Sequence, residues 1–187
     1  MPQDPATVKA ALGELEKTGK AGLQIHFPDI VITKPGTQTI KAATQPAPFI
    51  SISSRIAKSK PTKYFSMCLD LDAPLPSFNF MSPILHEMQA NLTGQGEPDA
   101  EGWIKLASDD EKPIAHWAPP GPPPFSSPHR YIFMIWEQSE DLASVEIRKR
   151  LGFGETVGLR PRPRWDQDAC EKKLGLGKSL GSNYFTV

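Results

Sequence analysis

The sequence predicts a mostly β fold with a few short helices at its periphery, and three observations carry that reading. Twenty prolines are spread through the 187 residues, each removing a backbone donor and interrupting helix, which favours an irregular β fold with long loops. Apolar and polar residues alternate with a period of two in several short runs, the pattern of half-buried strands. Helical periodicity is confined to the first residues and to a late stretch. The length suits a single domain spanning 1–187. With 39% hydrophobic and 22% charged residues, the chain has material for a core and too little charge for disorder.

Taken in order, Asp4 and Pro5 read as a helix N-cap and first-turn proline. Val8, Ala11, Leu12 and Leu15 then recur at helical spacing until Gly19 stops them. This helix and its lead-in occupy 1–22. Leu23, Ile25 and Phe27 alternate against Gln24 and His26 as a strand. Further strands are expected at Phe49 to Ser53, Tyr64 to Asp72, Ile84 to Leu92 and Tyr131 to Glu137. Loops rich in proline and glycine separate them, including Gly94 to Pro98 and Pro119 to Pro128. Leu142, Val145 and Lys149 after Asp141 suggest a second helix. Ala169, Cys170, Lys173 and Leu174 after an Asp166 cap, stopped by Gly175, suggest a third. The Arg160, Arg162 and Arg164 segment, spaced by prolines, reads as a solvated connector in preference to a phosphate-contacting arm. No repeat with a period of 20 to 50 residues is present, which removes solenoids and propellers.

Twenty-one basic and 21 acidic residues cancel, so the chain lacks the positive field that nucleic-acid phosphates require. No apolar run approaches the roughly 20 residues of a membrane span, and the first residues lack a secretory pattern. A cytoplasmic location is the expectation. Cys68 and Cys170 are too few for a disulfide scaffold and read as reduced, buried thiols. Gly-x-Ser-x-Gly, His-Glu-x-x-His and Walker patterns are absent. Gly152-Phe-Gly154 leads to Gly158 at the wrong spacing for a dinucleotide site. No cofactor is expected, and no metal, because the acids lack His and Cys partners at ligand spacing.

Three segments carry chemistry. In Tyr64-Phe-Ser-Met-Cys-Leu-Asp-Leu-Asp-Ala-Pro74, a strand would put Tyr64, Ser66, Cys68, Asp70 and Asp72 on one face. Two acids about 7 Å apart there would each disfavour the other's ionisation. The same Asp-x-Asp could instead cap a turn or supply half of a hard-metal site. His86 would share a face with Ile84, Met88 and Ala90. The stiff loop from Pro119 delivers His129, Arg130 and Tyr131 into a strong strand. Arg130 alternates away from its neighbours and is expected to pair with an acid.

In this order the pieces resemble the phosphatidylethanolamine-binding protein family, most closely its filamentous-fungal members. Its marks are an Asp-Pro-Asp-Ala-Pro run, a Leu-His-Trp-like strand, and Gly-Pro-Pro followed by His-Arg-Tyr. Here they read Asp70-Leu-Asp72-Ala-Pro74, Leu85-His86-Glu87, and Gly121-Pro122-Pro123 with His129-Arg-Tyr131. The tail from Leu174 to Phe185 is similar to the family's closing helix and final strand, within 160–187. Leu71 departs from the central proline, and no tryptophan follows His86.

The resemblance implies a central antiparallel sheet with a second, smaller sheet. It implies a small pocket for phosphate-like or carboxylate-like groups, with Asp70, Asp72, His86 and His129 as acid-base candidates. Pro74, Gly121, Pro122, Pro123 and Tyr131 would line it. Two functions follow from the resemblance and the sequence leaves both open. One is binding of phospholipid head groups with regulation of a kinase or inhibition of a serine carboxypeptidase. The other is fungal secondary metabolism, in which Asp/His chemistry promotes dimerisation of alkylcitrate-derived maleic anhydrides on the way to maleidrides; biosynthetic enzymes would then be protein partners.

Overall fold

The computed structural model describes residues 4–58, 62–108 and 112–187. Helix α1 is Ala6–Thr18, α2 Ser144–Leu151 and α3 Gln167–Leu174. The strands are β1 Leu23–Phe27, β2 Ile30–Ile32, β3 Thr37–Gln38, β4 Phe49–Ser53, β5 Tyr64–Asp70, β6 Ile84–Gln95, β7 Trp103–Ser108, β8 Arg130–Glu137 and β9 Gly181–Thr186. They form one nine-stranded sheet in the order β2-β1-β4-β7-β6-β5-β8-β9-β3. Every pairing is antiparallel except β3 with β9.

Both faces of the central strands are covered, which is why β5 reads as seven consecutive buried residues. Phe65, Met67, Leu69 and Leu71 join Ile132, Met134 and Trp136 on one face. The helices close over them with Val8, Leu12, Ile147, Cys170 and Leu174. On the other face Tyr64, Cys68, Tyr131, Phe133, Ile135 and Phe185 meet Leu23, Ile25, Phe27, Ile32, Ile50 and Ile52. The smaller second layer expected from the sequence is therefore the β2-β1-β4 end of the same sheet, folded over the β5-β8-β9 part through β7 and β6. Gly22 and Gly181 make the closure: a Cβ on Gly22 would stand 2.8 Å from the Gly181 Cα, so Gly22, just before β1, tolerates no side chain. Asn183, buried in β9, donates to the Leu23 and Ile32 carbonyls and fastens the layers.

Several local expectations change. Asp4 does not cap α1; its N-cap position is Pro5, with no side-chain bond. β6 runs on through Gly94 instead of yielding to a loop there, because β7 pairs with it as far as Gln95. In α2 it is Ile147 that faces the core, while Val145 is 78% exposed. Asp166 caps α3 as expected, accepting from Ala169 N–H at 2.9 Å.

Candidate functional site

Asp70 closes β5 with its carboxylate buried. Its Oδ1 accepts the Asp72 N–H at 2.8 Å, and its Oδ2 accepts from His129 Nδ1 at 2.9 Å. His129 stands just before β8, where its N–H donates to the Val187 carbonyl and its own carbonyl accepts from Val187. The other ring nitrogen, Nε2, lies 3.2 Å from the Pro74 carbonyl and 3.0 Å from Ser126 Oγ. A carbonyl and a carboxylate only accept, so these partners suit a ring carrying both protons. Burial alone would lower the His129 pKa; the Asp70 hydrogen bond and charge, with the Asp72 charge, outweigh it and raise it above 6.5.

His86 reaches the same place by a β-bulge. Cys68 pairs with Glu87 but Leu69 pairs with Leu85, so one extra residue is inserted at His86 and the strand is re-aimed. This separates His86 from Met88 and Ala90, whose face it was expected to share. Its Nδ1 donates to the Ala118 carbonyl, which leaves Nε2 unprotonated in the neutral ring, 3.9 Å from Asp70 Oδ2. Burial lowers its pKa, against the opposing pull of Asp70. The two imidazoles on one carboxylate oxygen are thus pushed in opposite directions, His129 towards the cation and His86 towards the neutral base.

Tyr131 packs edge-on to His86 with ring centroids 5.0 Å apart. Its hydroxyl is buried beside the Asp70 carboxylate and the Gly121 backbone and completes a hydrogen bond to neither. Burial first, then the Asp70 charge, raises its pKa. An orphaned buried donor is costly unless a ligand uses it. Pro74, Pro122 and Pro123 are half-buried and Gly121 is exposed; of these, Pro74 touches the cluster directly through its carbonyl.

Asp72 sits differently from the expected pair of like acids. Arg130 grips it with Nε to Oδ2 at 2.8 Å and Nη2 to Oδ1 at 2.7 Å, and the Arg130 N–H adds a third bond to Oδ2 at 2.8 Å. Asp72 is therefore a wall of the site with its oxygens occupied, and Arg130 is its structural partner as its alternation implied. Arg162 is neither connector nor phosphate arm. It is 4% exposed and donates to the carbonyls of His86 at 3.0 Å, His116 at 2.7 Å and Val157 at 3.1 Å. It ties the His86 bulge to the segment that ends at Ala118. Sequence reasoning missed Arg162, Ala118 and Ser126 in these roles, since two act through backbone carbonyls that only the folded chain brings together.

Among the described residues, no group of three or more His, Cys, Asp or Glu side chains is placed to hold a metal ion, and no helix is long and apolar enough to cross a membrane. Cys68 and Cys170 are free and buried. The cluster brings together a carboxylate, two imidazoles whose pKa values are pushed apart, and a buried hydroxyl without a hydrogen bond among the described residues.

Comparison with known proteins bears on the family and the fold. The family model described as phosphatidylethanolamine-binding protein matches residues 13–171. A curated relative, phomoidride biosynthesis cluster protein N of Talaromyces stipitatus, is 26% identical over 180 residues, covering 87% of this chain and 82% of the relative. Among solved structures, a carboxypeptidase Y inhibitor in complex with its cognate proteinase is similar with a TM-score of 0.67 and 18% identity, over 96% of this chain and 92% of the inhibitor. A phosphatidylethanolamine-binding protein from Plasmodium vivax is similar with a TM-score of 0.60 and 12% identity, over 97% and 96%. At these identities the two structures speak for the fold alone.

Proposed function

The chain belongs to the phosphatidylethanolamine-binding protein family, and from that premise we propose that its Asp70, His86, His129 and Tyr131 pocket binds a phosphate- or carboxylate-bearing ligand. We propose further that it acts in fungal secondary metabolism, promoting dimerisation of alkylcitrate-derived maleic anhydrides. The observation that carries the reading is the placement of the two histidines around Asp70, His129 donating to its Oδ2 at 2.9 Å and His86 holding Nε2 3.9 Å from the same oxygen. The Tyr131 hydroxyl, without a hydrogen bond among the described residues, is the donor for an incoming oxyanion or carbonyl, while His129, its pKa raised by Asp70, keeps its ring nitrogens on Asp70, Pro74 and Ser126. His86 Nε2 has its lone pair free to take a C–H proton from the bound anhydride. The carbanion left behind forms a carbon–carbon bond with a second anhydride, and the proton returns to the adduct. Asp72, gripped by Arg130, stands as a wall of the site.

The Talaromyces relative supports the biosynthetic setting by its name. Free buried thiols suit the reducing cytoplasm. The test is a reconstituted assay with synthetic maleic anhydride monomer, read by mass spectrometry, with partner proteins from the same gene cluster present. Wild type should yield dimer, and His86→Asn should lower its rate roughly 10²- to 10⁴-fold, the usual contribution of a general base. If wild type yields no more dimer than buffer, the catalytic reading is wrong. The second reading, a head-group binder that inhibits a serine carboxypeptidase, is favoured by likeness to the carboxypeptidase Y inhibitor in fold only; inhibition of that protease at micromolar concentration or below would establish it.

A further inference from the structure

Glu87 follows His86 in the chain but plays no part in the site above. It is 4% exposed, and its one hydrogen bond among the described residues comes from Gln89 Nε2 at 2.9 Å. Across β5, Ser66 is 2% exposed and pairs in register with Gln89; its hydroxyl bonds to none of the described residues. Glu87, Ser66 and Gln89 line a cavity of about 180 Å³ together with the apolar side chains of Ile50, Leu92 and Leu106. None of the histidine-site residues borders it. It reaches the surface beside Phe49 and Lys105, both exposed, where the Lys105 ammonium rests 4.5 Å from the Phe49 ring centroid.

A buried acid with a single amide donor is an unfavourable anion. Among the described residues, no positive charge forms an ion-pair contact with it. Lys105 is parked on an aromatic face at the mouth, and Arg162 spends its donors on backbone carbonyls, acting on Glu87 through space. Cys68, opposite in register on β5, is a buried neutral thiol. His86, its neighbour on β6, is held neutral, and the β4 residues on the wall carry no charge. Among the described residues, no cation contacts Glu87. We propose that this cavity is a second binding site, for a small organic cation whose ammonium group pairs with Glu87 and Ser66 and whose apolar body lies against Ile50, Leu92 and Leu106.

Burial pushes the Glu87 pKa up to about 7, while a primary ammonium stays charged to about pH 10. Cation binding then competes with one proton. Affinity should rise about tenfold from pH 6 to pH 8, because the ionised fraction of a group with a pKa of about 7 rises by that factor. At pH 7 each cation bound should release about half a proton for the same reason.

The probes are n-butylammonium and benzylammonium, with benzyl alcohol as the neutral control, titrated calorimetrically into the whole protein in buffers of different ionisation enthalpy. The ammonium compounds should bind, with that pH dependence and that proton release, and Glu87→Gln should abolish binding while phosphate binding at the histidine site is unchanged. Lys105→Met, at an exposed position, should tighten binding severalfold by removing like charge from the mouth. No binding of either amine at about 10 mM, well above a millimolar dissociation constant, overturns the proposal. Equal binding of benzyl alcohol, binding that ignores pH, or binding retained in Glu87→Gln overturns it equally, since the cavity would then be only an apolar void.

Discussion

Arg130→Met isolates the Asp72 ion pair, because methionine keeps much of the aliphatic stem and loses the guanidinium. The variant removes two charge-assisted bonds, of 2.8 and 2.7 Å, and leaves Asp72 with the Arg130 N–H. The Asp72 side chain is 5% exposed, so water replaces the lost donors poorly, whereas Arg130 is 35% exposed and part of the gap will wet. Breaking a buried pair costs about 3 to 5 kcal/mol; with that partial wetting, about 2 to 3 kcal/mol is expected here. For a domain of this size each kcal/mol moves Tm by roughly 2 to 4 °C, giving a fall of roughly 4 to 12 °C. Thermal and urea unfolding followed by tryptophan fluorescence reads it directly. Asp72→Asn and the double variant complete a cycle whose coupling should exceed about 1 kcal/mol. A loss under about 0.5 kcal/mol, or additive single variants, would refute the pairing argument. Loss of phosphate binding without loss of stability would move Arg130 into the ligand site.

Three further outcomes are expected. In NMR titrations His129 should titrate above pH 6.5 and His86 below it; the reverse order would remove the basis for their separate roles. The stability consequences oppose each other: the His129 contribution is full below about pH 6.5 and lost as pH rises through its folded value, while His86 lowers stability as pH falls through about 6.5 because the unfolded chain takes up the proton first. Asp70→Asn should lower the His129 pKa and shift phosphate binding to more acid pH, with calorimetry across pH 5.5 to 8, bracketing the roughly 6.5 reference value, as the check. Arg162→Met should cost about 3 kcal/mol or more in urea unfolding, since it strips several buried carbonyls of their donor at once; a cost below about 1 kcal/mol would mean that those carbonyls find other donors.

The strands with period-two alternation, Leu23 to Phe27 and Phe49 to Ser53, lie where the sequence placed them, because Leu23, Ile25 and Phe27 in one and Ile50 and Ile52 in the other pack into a common core and alternate with polar residues. Trp103–Ser108 was not recognised although Ile104 and Leu106 alternate with Trp103 and Lys105; it follows closely on the loop read at Gly94 to Pro98. The bulge was invisible for a different reason. Alternation assumes one residue per step, and the inserted residue at His86 breaks that count without any signal in composition. Asp72 was grouped with Asp70 by spacing, and only the fold shows that Arg130 occupies it. Which residues carry the chemistry was thus more legible than which of them share a proton, since the first depends on residue type and the second on angles and partners.

The pairing of His129 with Val187 bears on when the pocket comes into existence. During translation β5, β6 and β8 emerge well before β9, yet the backbone on which His129 is seated is hydrogen-bonded to Val187, and β9 also fills the space behind Tyr131 with Phe185. Gly22 near the start must likewise wait for Gly181 before the two layers can close. Nascent chains therefore hold their histidines without support behind them until β9 has emerged, and the acid-base pair cannot be assembled from β5, β6 and β8 alone.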